Sequence, residues 1–209
     1  MVVGSKSAWV GWPIAVFSSL TATASLLKER QLRPFLLLHP RALPDFEHLP
    51  QDDPNAVVVG LAKEAFSYEN MNRAFRLLHA NPDAPLIAIH RGRVYAEHDG
   101  LSMGPGPFVS ALEVASGRQA EVVGKPSAEF FAGAIAGLGL QSPSQAVMIG
   151  DDVNDDVRGA KAAGLTGVLV RSGKYRVGDE RSGDGVLPDA VVDDFAAAVE
   201  WLLCEEESG

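Results

Sequence analysis

The stretch that decides the fold is AVMIGDDVNDDV at residues 146–157, in which an apolar run ends in glycine and four aspartates follow. The apolar run predicts a buried strand, and the residues after it predict a helix that begins within one turn. In open α/β sheets, ligands bind at the carboxyl ends of the parallel strands, where these aspartates would lie. Asp151 and Asp156 are five residues apart across the turn, so both can face one hard cation such as Mg²⁺.

The aspartates of this stretch also have a purely structural interpretation. Acids are favoured at the start of a helix, where they cap main-chain N–H groups and interact with the helix dipole. Four acids in six residues exceed what capping needs, however. We therefore predict a metal-linked role for Asp151.

A second candidate is the lysine in VVGKPS at residues 122–127. Lys125 follows a predicted strand and a glycine, and the proline after it is typical of a helix start. A lysine at that point can offer a point charge to a phosphate group. Lysines in exposed loops are common, so the interest of Lys125 lies in its position one helix before Asp151.

Apolar runs alternate with helical patterns along the rest of the chain, which predicts an α/β fold with a parallel sheet. Residues 99–107 contain five glycines or prolines and predict a domain crossing. The strands are predicted at residues 34–39, 56–61, 85–90, 120–123, 146–150, 167–170 and 190–192. The helices are predicted at residues 19–30, 67–79, 108–115, 129–138, 156–163 and 195–203.

Composition excludes several classes of protein. With 46% apolar and 22% charged residues, the 209-residue chain is typical of globular domains and unlike a disordered tail. The only cysteine, Cys204, excludes a disulfide scaffold and a cysteine-based zinc site. The last 31 residues hold ten acids and one arginine, and therefore the whole net charge of −9. Without a basic stripe, nucleic acid is not an expected partner.

The amino-terminal residues do not have the pattern of a secretory signal, because Gly11, Trp12 and Pro13 interrupt their apolar character. No apolar run is long enough to span a bilayer. We therefore expect a cytoplasmic protein, intracellular and not secreted, with no membrane partner.

Three segments carry a resemblance to a known family: GKPSAEFF at 124–131, MIGDD at 148–152 and GAKAAGLTGVLVRSGKY at 159–175. With these and weaker matches from about Phe17 to Leu203, the chain resembles the haloacid dehalogenase (HAD) superfamily of phosphohydrolases. The resemblance implies a Rossmann-like core with an inserted α/β cap of the larger C2 type. The regions it implies are an unmatched segment at 1–16, a core-to-cap helix at 17–32, the cap at 33–104 and the C-terminal part of the core at 105–209.

The resemblance also implies roles for three residues. Lys125 matches the lysine that binds the transferring phosphoryl group. Asp151 matches the acid that helps to hold Mg²⁺, and Asp156 matches a second acid that supports Lys125 or the metal shell. Mg²⁺ is thus the implied cofactor, with Asp151 and Asp156 at the metal. The implied partners are a phosphorylated small molecule and, through the cap, a second copy of the chain.

The chain departs from the family pattern at the nucleophile. The family reaction uses an aspartate on a strand, with a second acid two residues later that acts as general acid and base. The 209 residues contain no Asp-x-Asp pattern and no acid before Glu29. We therefore expect no catalytic nucleophile in this chain and a core that lacks its first strands. The strand at 146–150 would then have an unpaired edge, and Gly11 and Pro13 argue against a regular strand in the first residues that would cover it.

Two functions follow from these observations. The first is a Mg²⁺-dependent phosphohydrolase by family, present as an N-terminally altered or truncated form that is inactive alone. The alternative is a non-catalytic isoform, or a binding or oligomerisation module of the phosphatase.

Overall fold

The computed structural model describes residues 2–5, 17–181 and 185–208, and this part of the chain forms ten strands and six α-helices. The strands β1 to β10 are Val2–Ser5, Pro34–Leu37, Ala56–Val59, Leu86–Ala88, Val94–Glu97, Gly100–Met103, Glu121–Val122, Ala146–Gly150, Thr166–Val170 and Ala190–Val192. The helices α1 to α6 are Ser19–Glu29, Tyr68–Ala80, Gly106–Ser116, Ala128–Gly137, Gly159–Ala162 and Phe195–Ser208. A π-helical segment, Val153–Arg158, leads into α5. Among these helices none has the length and apolar character needed to cross a membrane.

The described residues divide into two compact units. The terminal unit contains those of Met1–Phe17 and Lys125–Gly209, and the central unit is Ser18–Gly124. The division therefore lies between Gly124 and Lys125, beyond the predicted crossing at residue 104. The reason is that residues 106–122 complete the central unit, since β7 pairs in parallel with β4 and α3 packs on the sheet through Val109 and Leu112.

The central unit is built on a four-stranded parallel sheet in the order β2-β3-β4-β7. All four residues of β3 are buried, which explains why this strand is an unbroken apolar run. Val57 and Val59 belong to a core cluster with Leu78 of α2, whereas Val58 belongs to a second cluster with Leu27 of α1. Helices thus cover both faces of the sheet, and the predicted α/β fold class is confirmed.

The glycine-rich stretch at 99–107 closes a hairpin within the central unit. Strands β5 and β6 pair in antiparallel fashion, and Gly104 N–H then donates to the carbonyl of Arg93 at 2.8 Å. A Cβ on Gly104 would lie 2.2 Å from the carbonyl oxygen of Gly92. The glycines of this stretch therefore permit close packing of two backbone segments in one unit.

One arginine fixes the turn between α2 and β4. The guanidinium of Arg118 donates hydrogen bonds of 2.6–3.1 Å to four main-chain carbonyls, those of Leu78, Asn81, Pro82 and Ala84. Hydrogen bonds from a charged donor are stronger than those between neutral groups. Arg118 thus satisfies the carbonyls at the end of α2 and in the following turn at the same time.

The terminal unit is built on a sheet in the order β1-β8-β9-β10. Strands β8, β9 and β10 are parallel, whereas β1 runs antiparallel to β8, with Val2 opposite Ile149 and Ser5 opposite Ala146. The prediction of an unpaired edge beside β8 is therefore wrong. Buried main-chain groups need hydrogen-bond partners, and β1 provides them on that side of β8. Gly11 and Pro13, which argued against a covering strand, lie outside the described residues.

Helical segments pack on both faces of this sheet, and one of these segments carries the aspartates. On one face, Val168 and Val170 of β9 belong to a buried cluster with Ala198 of α6. Leu169, which points to the opposite face, packs with Val157 of the π-helical segment. The segment that carries the aspartates is therefore anchored on the sheet by its own apolar residues.

Candidate functional site

The acidic stretch after β8 begins with a capping aspartate. Oδ1 of Asp152 accepts hydrogen bonds from the main-chain N–H groups of Asn154 and Asp155, both at 3.0 Å. This is the geometry of a helix N-cap. Asp152 therefore has the structural role that was one of the two interpretations of the stretch.

Asp156 is almost completely buried, with 3% of its surface exposed, and both of its carboxylate oxygens are hydrogen-bonded. Oδ1 accepts from the ammonium of Lys125, and Oδ2 accepts from the main-chain N–H of Asp152 at 3.2 Å. Gly150 allows this arrangement, because a Cβ at that position would lie 2.2 Å from Oδ2 of Asp156. The carboxylate is thus locked between a lysine and the backbone that follows β8.

Lys125 is positioned by the start of α4. Ser127 caps this helix by accepting a hydrogen bond from the N–H of Phe130, and Pro126 packs against Gly159, where a Cβ would lie 3.0 Å from Pro126. The Lys125 side chain is 30% exposed, so its ammonium is paired with Asp156 and still accessible to solvent. Asp156 is the one hydrogen-bond partner of this ammonium among the described residues.

Asp151 is held by the loop that follows β9. Its Oδ2 accepts a hydrogen bond of 2.8 Å from the main-chain N–H of Lys174. Gly173 has a positive φ of 55°, and a Cβ there would lie 2.0 Å from the same oxygen, so this close approach requires glycine. Oδ1 of Asp151 accepts no hydrogen bond from any residue that the structure describes.

Two further charged groups complete the cluster. The ammonium of Lys174 lies 3.4 Å from Oδ2 of Asp152. Burial and the negative charge of Asp152 raise the pKa of Asp155 to about 6, from an ordinary value of 3.8. The Asp155 carboxylate makes no hydrogen bond within residues 17–181. The site therefore gathers four carboxylates and two ammonium groups, which leaves an excess of negative charge when all of them are ionised.

The carboxylate oxygens of the site are ligands of the type that a hard cation such as Mg²⁺ prefers. The described residues contain no group of three or more His, Cys, Asp or Glu side chains placed to hold a metal ion. Mg²⁺, however, usually binds one or two carboxylates and completes its shell with water and substrate oxygens. Asp151, with one oxygen uncommitted, fits that requirement, whereas both oxygens of Asp156 are already engaged.

The three residues singled out in the sequence lie in one network. Lys125 contacts Asp156 directly, and Asp156 is hydrogen-bonded to the residue that follows Asp151. Sequence reasoning missed Gly173 and Lys174. The available signal was a Gly-Lys pair shortly after the apolar run of β9, at the same edge of the sheet as Asp151.

Comparisons with known proteins match the part of the chain that carries these residues. A family model described as HAD-hydrolase-like matches residues 122–198, a segment that contains Lys125, Asp151, Asp156 and Lys174. Human haloacid dehalogenase-like hydrolase domain-containing protein 2 is 52% identical over 188 residues, which are 90% of this chain and 71% of that protein. The phospholysine phosphohistidine inorganic pyrophosphate phosphatase of Danio rerio is 47% identical over 188 residues, 90% of this chain and 69% of that protein.

Solved structures with a similar fold include phosphatases. The 4-nitrophenylphosphatase of Thermotoga maritima has a TM-score of 0.77 and 26% identity, covering 87% of this chain and 70% of that one. The glycerol phosphate phosphatase of Mycobacterium tuberculosis in complex with magnesium has a TM-score of 0.76 and 25% identity, covering 87% of this chain and 57% of that one. With a Rossmann-like α/β fold and 52% identity to a relative over most of its length, the chain belongs to the haloacid dehalogenase-like hydrolase family.

Proposed function

We propose that this chain contributes the phosphate-binding lysine and a Mg²⁺ ligand to a phosphohydrolase that acts on phosphorylated small molecules. The observation that carries the proposal is the Lys125 ammonium, held by the buried Asp156 beside the turn that bears Asp151. The similar proteins support the substrate class, since their names specify phosphatases for 4-nitrophenyl phosphate, glycerol phosphate, phospholysine, phosphohistidine and pyrophosphate.

Lys125 would bind and orient the phosphate. Its partner Asp156 is buried and doubly hydrogen-bonded, so the ammonium is held at a defined point and loses little side-chain freedom on binding. The ammonium has three donors, and one of them is used by Asp156. The other two are free to donate to phosphate oxygens, which are strong acceptors for a charged donor.

Asp151 would hold the metal ion. Its Oδ2 is fixed by the Lys174 N–H, which orients the carboxylate and leaves Oδ1 uncommitted. Mg²⁺, when bound, neutralises charge on phosphate oxygens and orients them. Asp156 then serves as the residue that positions Lys125, because each of its oxygens already accepts a hydrogen bond, one of them from the Lys125 ammonium.

The 209-residue polypeptide would bind phosphate without turning over a phosphate ester. Hydrolysis in this family uses an attacking aspartate, and no acid precedes Glu29 and no Asp-x-Asp occurs in the 209 residues. We expect no release of p-nitrophenol from p-nitrophenyl phosphate above the buffer rate with Mg²⁺ present. Hydrolysis that disappears in Asp151→Asn would contradict this expectation.

Titration of the polypeptide with inorganic phosphate in the presence of Mg²⁺ tests the binding role directly. Lys125→Gln should weaken phosphate binding about tenfold, the effect of losing roughly one hydrogen bond from a charged donor. Lys161→Gln is the matched control, because Lys161 pairs with Asp189 near the amino end of β9, away from Asp151. Equal phosphate affinity in Lys125→Gln and the parent chain would show that Lys125 is not the phosphate ligand.

A further inference from the structure

Two different groups of Lys174 contact the acidic cluster, which consists of Asp151, Asp152, Asp155 and Asp156. Its main-chain N–H donates to Oδ2 of Asp151 at 2.8 Å, and its ammonium lies 3.4 Å from Oδ2 of Asp152. The first contact orients a carboxylate, and the second places a positive charge in the cluster. No role assigned so far to Lys125, Asp151 or Asp156 uses that charge.

The position of this loop is fixed by its backbone. Gly173 has φ +55°, and the space where its Cβ would stand is taken by the Asp151 carboxylate, at 2.0 Å. The loop therefore approaches Asp151 as closely as the backbone allows. Because Lys174 is the next residue, the fixed position of the loop places its ammonium near the cluster.

The ammonium of Lys174 lies among carboxylates, 3.4 Å from Oδ2 of Asp152, on the loop whose N–H contacts Asp151. The side chain is 47% exposed, so its pairing is weaker than that of a fully buried ion pair and the ammonium can move away. These are the properties of a counter-ion that can give way to another cation.

Resting on the proposed role of Asp151 as a Mg²⁺ ligand, we propose that Lys174 is a positioning residue that also sets metal affinity. Its N–H fixes the Asp151 carboxylate, and its ammonium is a tethered counter-ion that competes with the divalent cation for the acidic cluster. Removing the ammonium while keeping the backbone should therefore tighten divalent cation binding.

The test is a titration of the 209-residue polypeptide with Mn²⁺, a paramagnetic stand-in for Mg²⁺, followed by electron paramagnetic resonance at low ionic strength. Lys174→Met should bind Mn²⁺ about 3- to 10-fold more tightly, because a positive charge within about a Debye length of the metal is lost. Lys174→Arg keeps the charge and should stay within about twofold of the parent chain. Lys161→Met changes the net charge equally near the amino end of β9, where Lys161 pairs with Asp189, and should raise the affinity less than Lys174→Met does.

The outcomes separate this inference from the proposed function. Mn²⁺ binding that disappears in Asp151→Asn but is unchanged or weakened in Lys174→Met overturns the role of Lys174 alone. An equal gain in Lys161→Met also overturns it, because net charge would then be the cause. Binding that survives Asp151→Asn, or that is absent from every variant, overturns the metal role of Asp151 and the inference together.

Discussion

Replacing Asp156 with asparagine removes one charge and one hydrogen-bond acceptor from the centre of the network. The amide has nearly the volume of the carboxylate, and its oxygen can still accept the hydrogen bond from the N–H of Asp152. The ion pair with Lys125 is lost, however. The substitution therefore removes both the charge and the hydrogen-bond acceptor that hold the Lys125 ammonium, while it keeps the volume of the side chain.

The size of the effect follows from burial. Removing one partner of a fully buried ion pair costs about 3–5 kcal/mol, and a hydrogen bond to a charged group contributes about 1.5–3 kcal/mol. Asp156 is buried, but Lys125 is 30% exposed and can be rehydrated once its partner is gone. We therefore expect Asp156→Asn to lower the free energy of unfolding of the terminal unit by about 2–3 kcal/mol, near the lower bound of the buried-pair range.

Urea denaturation followed by tryptophan fluorescence measures this quantity selectively. The chain has three tryptophans, Trp9, Trp12 and Trp201, and none of them lies within Ser18–Gly124. The same substitution made in a Lys125→Met background should cost much less, with a coupling energy of about 1.5–2.5 kcal/mol. A loss below about 0.5 kcal/mol, or an equal loss in both backgrounds, would refute the reasoning that the pair is held by burial.

Three other perturbations test separate parts of the structure. Asp155→Asn should change the pH dependence of stability: because the folded pKa of Asp155 is raised to about 6, its protonation stabilises the fold below its unfolded pKa of 3.8, and this contribution is lost as the pH rises through 6. In urea titrations, the free energy of unfolding of the variant should therefore rise by about 1–2 kcal/mol relative to that of the parent chain between pH 4 and pH 8. This value is reduced for the solvent screening of a partly exposed group. A difference that stays constant with pH would contradict the expectation. Gly150→Ala should lower the free energy of unfolding by about 1–3 kcal/mol and weaken phosphate binding, because the added Cβ displaces Asp156. Unchanged phosphate affinity would contradict the role of the fixed Asp156 carboxylate in positioning Lys125. Arg118→Ala should destabilise the end of α2 by about 2–3 kcal/mol in hydrogen exchange, and Arg118→Lys by less, whereas equal protection in all three chains would mean that the four carbonyls do not depend on the guanidinium.

The α/β character of the chain could be predicted because its central strands are buried on both faces. The apolar run at residues 56–59 has no polar interruption, as a strand between two helical layers requires. The boundary between the two units could not be predicted from the sequence in the same way. Gly104 and Gly106 have the composition of a linker, but they are needed because two backbone segments meet at Gly92 and Arg91. Sequence alone does not separate a glycine needed for close packing from a glycine in a linker.

The site was predictable where its residues share a local motif. Asp151 and Asp156 lie in one turn at the carboxyl end of β8, where a parallel sheet is expected to place a site. Lys125 precedes α4, and its contact with Asp156 depends on the packing of Pro126 against Gly159, which its spacing alone does not show. The role of Lys174 depends on a contact across 23 residues of chain, between the loop after β9 and the end of β8. Nothing in the spacing of the four aspartates distinguishes the capping Asp152 from the buried Asp156 either, because that difference arises from the direction of each side chain.

The contacts of Arg118 have a consequence for how this family can vary in length. One guanidinium reaches four carbonyls spread over residues 78–84, so inserting or deleting a residue in that turn would move at least two acceptors out of reach. Most surface turns accept such changes readily. Here we expect homologues that keep the arginine to keep a turn of the same length, and homologues with a longer turn to have replaced it.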